Sequence, residues 1–220
     1  NVEDYIEEAD CILIGPGMVR SEGFKVQSTK YNVQSLDQID SIKDEGEETA
    51  ELTNYLLRKY PQKQWVVDAG ALQMMDIGCV PSHSILTPHH GEFKVLLEKC
   101  QINDRNEEES LQMLAEQRDC IVLLKGPIDI VCSPSDCRTI EGGNPGMTKG
   151  GTGDVLAGLI AALACKNDPF LATIAGSFIN KKAGDELYKT VGPFFNASDL
   201  AHEIPKTMKF FLQASSHDRR

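Results

Sequence analysis

Asp154 stands at a junction in the stretch "NPGMTKGGTGDVLAGLIAALA", Asn144 to Ala164. Before it the chain is glycine-rich and nearly free of apolar side chains; from Val155 onward it is almost entirely small or apolar. Gly150, Gly151 and Gly153 leave their backbone N–H groups uncovered. Together with the dipole of a following helix, such groups form a site for a phosphate or another oxyanion. A carboxylate beside that site is electrostatically unfavourable unless it has a chemical role. One role is to accept a proton from a hydroxyl as the hydroxyl attacks phosphorus. The competing reading is that Asp154 caps the free amides of the helix.

The loop fits neither of two common phosphate motifs. G-x-x-x-x-G-K-[ST] cannot be laid onto it. Gly151-x-Gly153 is followed by Leu156 where a dinucleotide fingerprint needs its third glycine.

The elements that must position this junction are short β-branched runs alternating with helical stretches. Strands are expected at 11–15, 65–68, 84–87, 121–126 and 129–133. Helices are expected at 2–9, 48–60, 91–99, 106–118, 154–165, 170–189 and 199–213. The runs lack polar alternation, which implies burial on both faces. The expected fold is therefore α/β, with a mostly parallel central sheet flanked by helices. Val155, Leu156, Leu159, Ile160 and Leu163 recur at helical spacing, so the helix behind Asp154 should bury one face. Asp168 and Pro169 punctuate the start of the next helix as N-cap and first-turn proline. One domain is expected over 1–213, with a tail at 214–220. Residues 21–47 are polar and weakly periodic, and read either as a flap over a site or as a solvated insertion.

The chain has 220 residues, 41% hydrophobic and 25% charged, with a net charge of −11. The acidic balance argues against a nucleic-acid partner, which calls for a basic face. No apolar run approaches the ~20 residues that span a bilayer, so no membrane role is expected. The seven cysteines include no C-x-x-C pair, and several lie in apolar runs. They read as small buried hydrophobes in a reducing, cytoplasmic setting. The five histidines show no zinc-ligand spacing with them.

"GTGD" running into an apolar helix resembles the anion-hole signature of the ribokinase-like fold. "NPGMTKGGTGDVLAG" as a whole is similar to the ADP/ATP-dependent NAD(P)H-hydrate dehydratases. "IGPG" (14–17), "VVDAGAL" (66–72), "LTPHHGEF" (86–93), "LLKG" (123–126), "AGDELY" (183–188) and "ASDL" (197–200) resemble that family's motifs in order. Nearly the whole chain is covered, apart from 21–47.

The resemblance implies repair of hydrated NADH or NADPH. An adenine nucleotide, ADP or ATP with Mg2+, phosphorylates the ring hydroxyl, and loss of phosphate restores the ring. It implies Asp154 as proton acceptor and Gly151, Thr152 and Gly153 as holders of the phosphoryl group. His89 and Gly17 are implied as substrate contacts. Lys125, Gly126 and Pro127, together with Gly153, are implied at the nucleotide. Glu92 matches an acid that organises Mg2+ through water; the alternative is a first-turn helix acid favoured by the dipole. His89 as an ordinary loop histidine, Gly17 as part of a plain turn, and Lys149 as either a phosphate partner or an exposed loop lysine also stay open.

Three departures from the pattern stand out. A glycine-rich strand–turn–helix unit usual before "IGPG" is expected to be missing. A sheet without its first strands exposes an edge, so a homo-oligomer or another partner is expected. Met18-Val19-Arg20 replaces a second glycine pair, and "DAGAL" puts Gly70 where the family has an acid. Two other functions remain. One is a ribokinase-like kinase for a vitamin precursor or sugar, although such kinases more often carry Asn at the position of His89. The other is a non-catalytic nucleotide-binding subunit, against which the presence of Asp154 speaks.

Overall fold

The apolar runs become strands because both of their faces are covered. In the computed structural model, which describes residues 2–20, 33–103 and 106–217, six strands form one sheet in chain order. They are β1 (Cys11–Ile14), β2 (Gln64–Val67), β3 (Ile85–Leu86), β4 (Ile121–Leu124), β5 (Asp129–Cys132) and β6 (Cys137–Ile140). β1 to β4 are parallel; β5 is antiparallel to β4, and β6 is antiparallel to β5. Alternate residues of one strand enter different cores. Trp65, Val67, Leu86, Val122 and Leu124 pack on one side, and Val66, Ile85, Ile121, Leu123 and Val131 on the other. That two-sided burial is why the runs show no polar alternation.

A short helix, α1 (Val2–Glu8), leads into β1. The first face of the sheet is covered by α3 (Glu45–Lys59), α4 (Ala69–Met74), α5 (His90–Cys100) and α6 (Glu107–Arg118). The second is covered by α7 (Thr152–Ala164) and α8 (Pro169–Val191), with α9 (Ala197–His217) packed outside them. α7 divides its apolar residues between two neighbours. Leu156 and Ile160 face the sheet, while Val155 and Leu159 meet α8 and α9. Asp168 caps α8 through Leu171 N–H, with Pro169 in its first turn, as the punctuation requires.

The structure also departs from the sequence reading. α7 begins at Thr152, two residues early, so Asp154 is its third residue rather than its start. α9 runs to His217, into the stretch read as a tail. Residues 21–32 of the flap-or-insertion segment lie outside the described residues. Its later part holds α2 (Leu36–Ile39), and Val33 and Ile39 are buried in the first core. β6 escaped notice because it is an edge strand of mixed polarity, exposing Arg138 and Thr139. Cys132 and Cys137, read as thiols, are bonded to each other across the β5–β6 hairpin, whose register sets them opposite. The remaining five cysteines are free.

The carboxyl ends of β1 and β2 pass each other closely. β1 ends at a turn where Gly15 has φ +121. A Cβ there would meet the Asp68 carbonyl oxygen at 1.7 Å, so only glycine lets β1 pass β2 at this point. α4 follows β2 at once, starting from Asp68.

Candidate active site

The N-terminus of α7 is held by its own loop. Gly151 takes the left-handed conformation, φ 88, as N-cap. Thr152 Oγ1 donates to the carbonyls of Met147 (2.7 Å) and Lys149 (2.8 Å). Its hydroxyl therefore braces the loop, and its N–H, expected at the phosphoryl group, donates to the Lys149 carbonyl at 3.3 Å. Lys149 is equally committed: its ammonium donates to the carbonyls of Phe195 (2.6 Å) and Pro193 and lies over the Phe195 ring. The far end of the loop hangs on Asp185, which accepts from Gly143 N–H and Asn144 Nδ2, both at 3.2 Å.

A helix leaves its first N–H groups without partners inside the helix. Here the Gly153 and Asp154 amides bond to no other backbone group among the described residues. Asp154 itself is exposed, and its carboxylate makes no hydrogen bond or ion pair among those residues. It therefore does not cap the helix, which was the competing reading for this acid.

Lys125 comes to the same place from the end of β4. Its Nζ lies 2.8 Å from Asp68 Oδ1, and a Cβ built on Gly153 would lie 3.6 Å from that Nζ. Its backbone is fixed by donation to the Pro88 carbonyl (2.9 Å) and by a parallel bridge to His89. The next two residues are held from below by the buried Lys181 of α8. That ammonium donates to the carbonyls of Gly126 (3.0 Å), Pro127 (3.1 Å) and Gly142 (3.2 Å) and pairs with the buried Asp129 at 3.2 Å. Asp129 also accepts from Gly126 N–H (2.9 Å) and Ser177 Oγ (2.7 Å). One buried pair thus fixes the "KGP" turn to the entry of the glycine loop.

His89 and Glu92 form a capping box on α5. His89 Nδ1 accepts from the N–H groups of Gly91 (3.0 Å) and Glu92 (3.2 Å), and Glu92 accepts from His89 N–H (2.9 Å). With Nδ1 accepting, the ring proton sits on Nε2, 3.5 Å from Glu92 Oε1. Glu92 is buried, takes a further bond from Gln73 Nε2 (3.2 Å), and lies 4.0 Å from the Arg20 guanidinium. Among the described residues no group of three or more His, Cys, Asp or Glu is arranged to hold a metal. Gly17 has φ +78 and open space where a side chain would stand.

The structure therefore brings Lys125 to Gly153, and joins His89 and Arg20 to Glu92. Gly17 makes no comparable contact; like His89 and Lys125, it follows the carboxyl end of a parallel strand, where open α/β sheets bind ligands. Sequence reasoning missed Asp68, Asp129, Lys181, Asp185 and Arg20. Asp68 and Asp185 lie in motifs noted there, "VVDAGAL" and "AGDELY". A separate open depression, lined in part by Glu109, Gln112 and Cys137, lies against α6 and the β5–β6 hairpin and contains none of these residues.

A family model described as NAD(P)H-hydrate dehydratase matches residues 2–206. The chain is 38% identical over 165 residues to a bifunctional NAD(P)H-hydrate repair enzyme Nnr from Methanocaldococcus jannaschii, covering 74% of this chain and 31% of that protein. It is similar to the crystal structure of an ADP/ATP-dependent NAD(P)H-hydrate dehydratase from Bacillus subtilis, co-crystallised with ATP and Mg2+. There the TM-score is 0.58 and the identity 29%, over 68% of this chain and 57% of the other. A ribokinase-like superfamily protein from Enterococcus faecalis shares the fold, with a TM-score of 0.71 at 24% identity over 96% of this chain and 66% of the other. The matches span between 30% and 52% of the length of the curated relatives.

Proposed function

The chain belongs to the NAD(P)H-hydrate dehydratase family, and from that membership we propose that it carries the nucleotide-dependent dehydration of hydrated NADH or NADPH. The observation that carries the reading is the unpartnered Asp154 carboxylate in the first turn of α7, where the Gly153 and Asp154 amides are free and the Lys125 ammonium lies beside Gly153. A binding site for phosphate gains nothing from an acid at that point; a phosphoryl-transfer site does.

In this reading Asp154 takes the proton from the ring hydroxyl as its oxygen attacks the terminal phosphorus of ADP or ATP. The bond from that phosphorus to the nucleotide breaks, giving AMP or ADP. The N–H groups of Gly151, Gly153 and Asp154 receive the charge on the transferred group, while Thr152 holds the loop in shape. The ring's C–O bond then breaks, phosphate leaves, and loss of a ring proton restores the double bond. Gly126 and Pro127, held by Lys181, form the wall for the nucleotide, and Gly17 and His89 meet the substrate. Mg2+ bound with the nucleotide phosphates would supply charge neutralisation. Glu92, committed to the capping box, would help hold it through water.

The acidic chain and its adenine and nicotinamide ligands fit a cytoplasmic enzyme without a nucleic-acid partner. No helix among the described residues is long and apolar enough to cross a membrane. β1 is an edge of the described sheet, which favours a homo-oligomer. The test is incubation with NADH hydrate and either ADP or ATP. Recovery of nicotinamide absorbance that requires nucleotide is the expected result; no recovery with either nucleotide overturns the proposal.

A further inference from the structure

The geometry points to Lys125 as the cation that meets the transferred phosphoryl group, and to Asp68 as the positioning residue that holds it there. The inference rests on the phosphoryl-transfer reading of the site.

Three lysines surround the glycine loop, and their donors are used differently. Lys149 spends its donors on two carbonyls, and Lys181 on three carbonyls and a carboxylate. An ammonium has three donors. Lys125 has a single hydrogen-bond partner among the described residues, Asp68, and so keeps donors to offer. Those donors sit beside Gly153, whose amide, with that of Asp154, is also unfilled. Two kinds of unfilled donor on one small space call for an anion with several oxygens.

Asp68 explains why the ammonium stays. It is 1% exposed and occupies the N-cap position of α4, yet its side chain caps no amide. Its carboxylate is committed to Lys125 instead. Its backbone is pinned by donation to the Ile14 carbonyl (3.0 Å) and by the close passage of Gly15. The pair thus joins the ends of β2 and β4 across β3. Without the carboxylate a four-carbon side chain would carry its charge out to water. With it, the charge is fixed where the equatorial oxygens of the transferring group develop theirs, and a fixed charge needs no reorganisation as the bond breaks.

The test is a double-mutant cycle of Asp68→Asn and Lys125→Gln, read as kcat for NADH-hydrate repair and as ATP affinity by calorimetry. Lys125→Gln is expected to lower kcat about 10²-fold and to weaken ATP binding about tenfold. Asp68→Asn moves both readouts the same way, by about tenfold or more in kcat. The double variant should be no worse than Lys125→Gln, because Asp68 acts through the ammonium. Losses that multiply in the double variant, or an Asp68→Asn variant within about threefold of the parent, overturn the inference. If Asp68→Asn does not fold, Lys125→Gln decides: normal kcat and affinity overturn it. A parent that binds ATP but repairs nothing refutes the proposed function alone, and the affinity cycle then judges the pair. A parent that binds no nucleotide ends both.

Discussion

Gly70 lies against the Met18 carbonyl: a Cβ built on Gly70 would stand 2.3 Å from the Met18 oxygen and 2.7 Å from its carbon. Both positions stood out in the sequence as departures from the family resemblance, and the structure places them in contact. The 15–18 turn, closed by Met18 N–H on the Gly15 carbonyl at 3.0 Å, occupies the volume a side chain at 70 would need. Gly70→Ala should therefore destabilise by about 1–3 kcal/mol, as overpacking does. Thermal unfolding should show the loss as roughly 2–4 °C per kcal/mol. A variant as stable as the parent would mean the turn yields freely.

The buried pair Lys181–Asp129 makes a second claim on stability. Removing one partner strands the other charge in the core, and Lys181→Met should cost about 3–5 kcal/mol by denaturant titration. Replacing both with apolar residues should cost less, since neither charge is then left alone. A single variant within about 1 kcal/mol of the parent would show that the carbonyls of 126, 127 and 142 need no cation.

Lys99 sets a pH dependence. Its ammonium donates to the carbonyls of Gln73 (2.6 Å) and Met75 (2.7 Å) at the end of α4. Burial pushes it down to about 8, against the pull of Asp76. The unfolded chain, with an ordinary lysine near ~10.4, then binds more protons between those values, so stability rises with pH across that window. Between about pH 7 and about pH 9.5 the parent should gain about 2 kcal/mol relative to Lys99→Met. Denaturant midpoints that run parallel in the two proteins would contradict this.

Asp154 and the glycines could be read from the sequence as a candidate site because they lie within one contiguous loop. Lys125 was singled out only through the family resemblance of "LLKG". The parts that hold them were not legible. Asp68 meets Lys125 across 57 residues of chain, and only the order of β2, β3 and β4 brings them together. α4 has no helical period to read, since nearly all of it is buried and its residues are small or apolar. β6 has no apolar run, and the Cys132–Cys137 bond follows from a hairpin whose second strand went unseen. Capping was the ordinary reading of an acid at a helix start. It failed because Gly151, not Asp154, is the N-cap of α7.

The central claim is that Asp154 accepts the proton of the attacking hydroxyl, and Asp154→Asn tests it most directly. The residue is exposed and bonds to nothing described, so the substitution should leave the melting temperature nearly unchanged. It removes a negative charge beside the phosphate site, so ATP should bind as well or more tightly. General-base catalysis contributes about 10²–10⁴-fold. With stability, ATP affinity and NADH-hydrate repair measured on one preparation, the account predicts folded, nucleotide-binding protein whose repair rate falls by about 10²-fold or more. Repair within about threefold of the parent would contradict it, leaving Asp154 without a part in the chemistry.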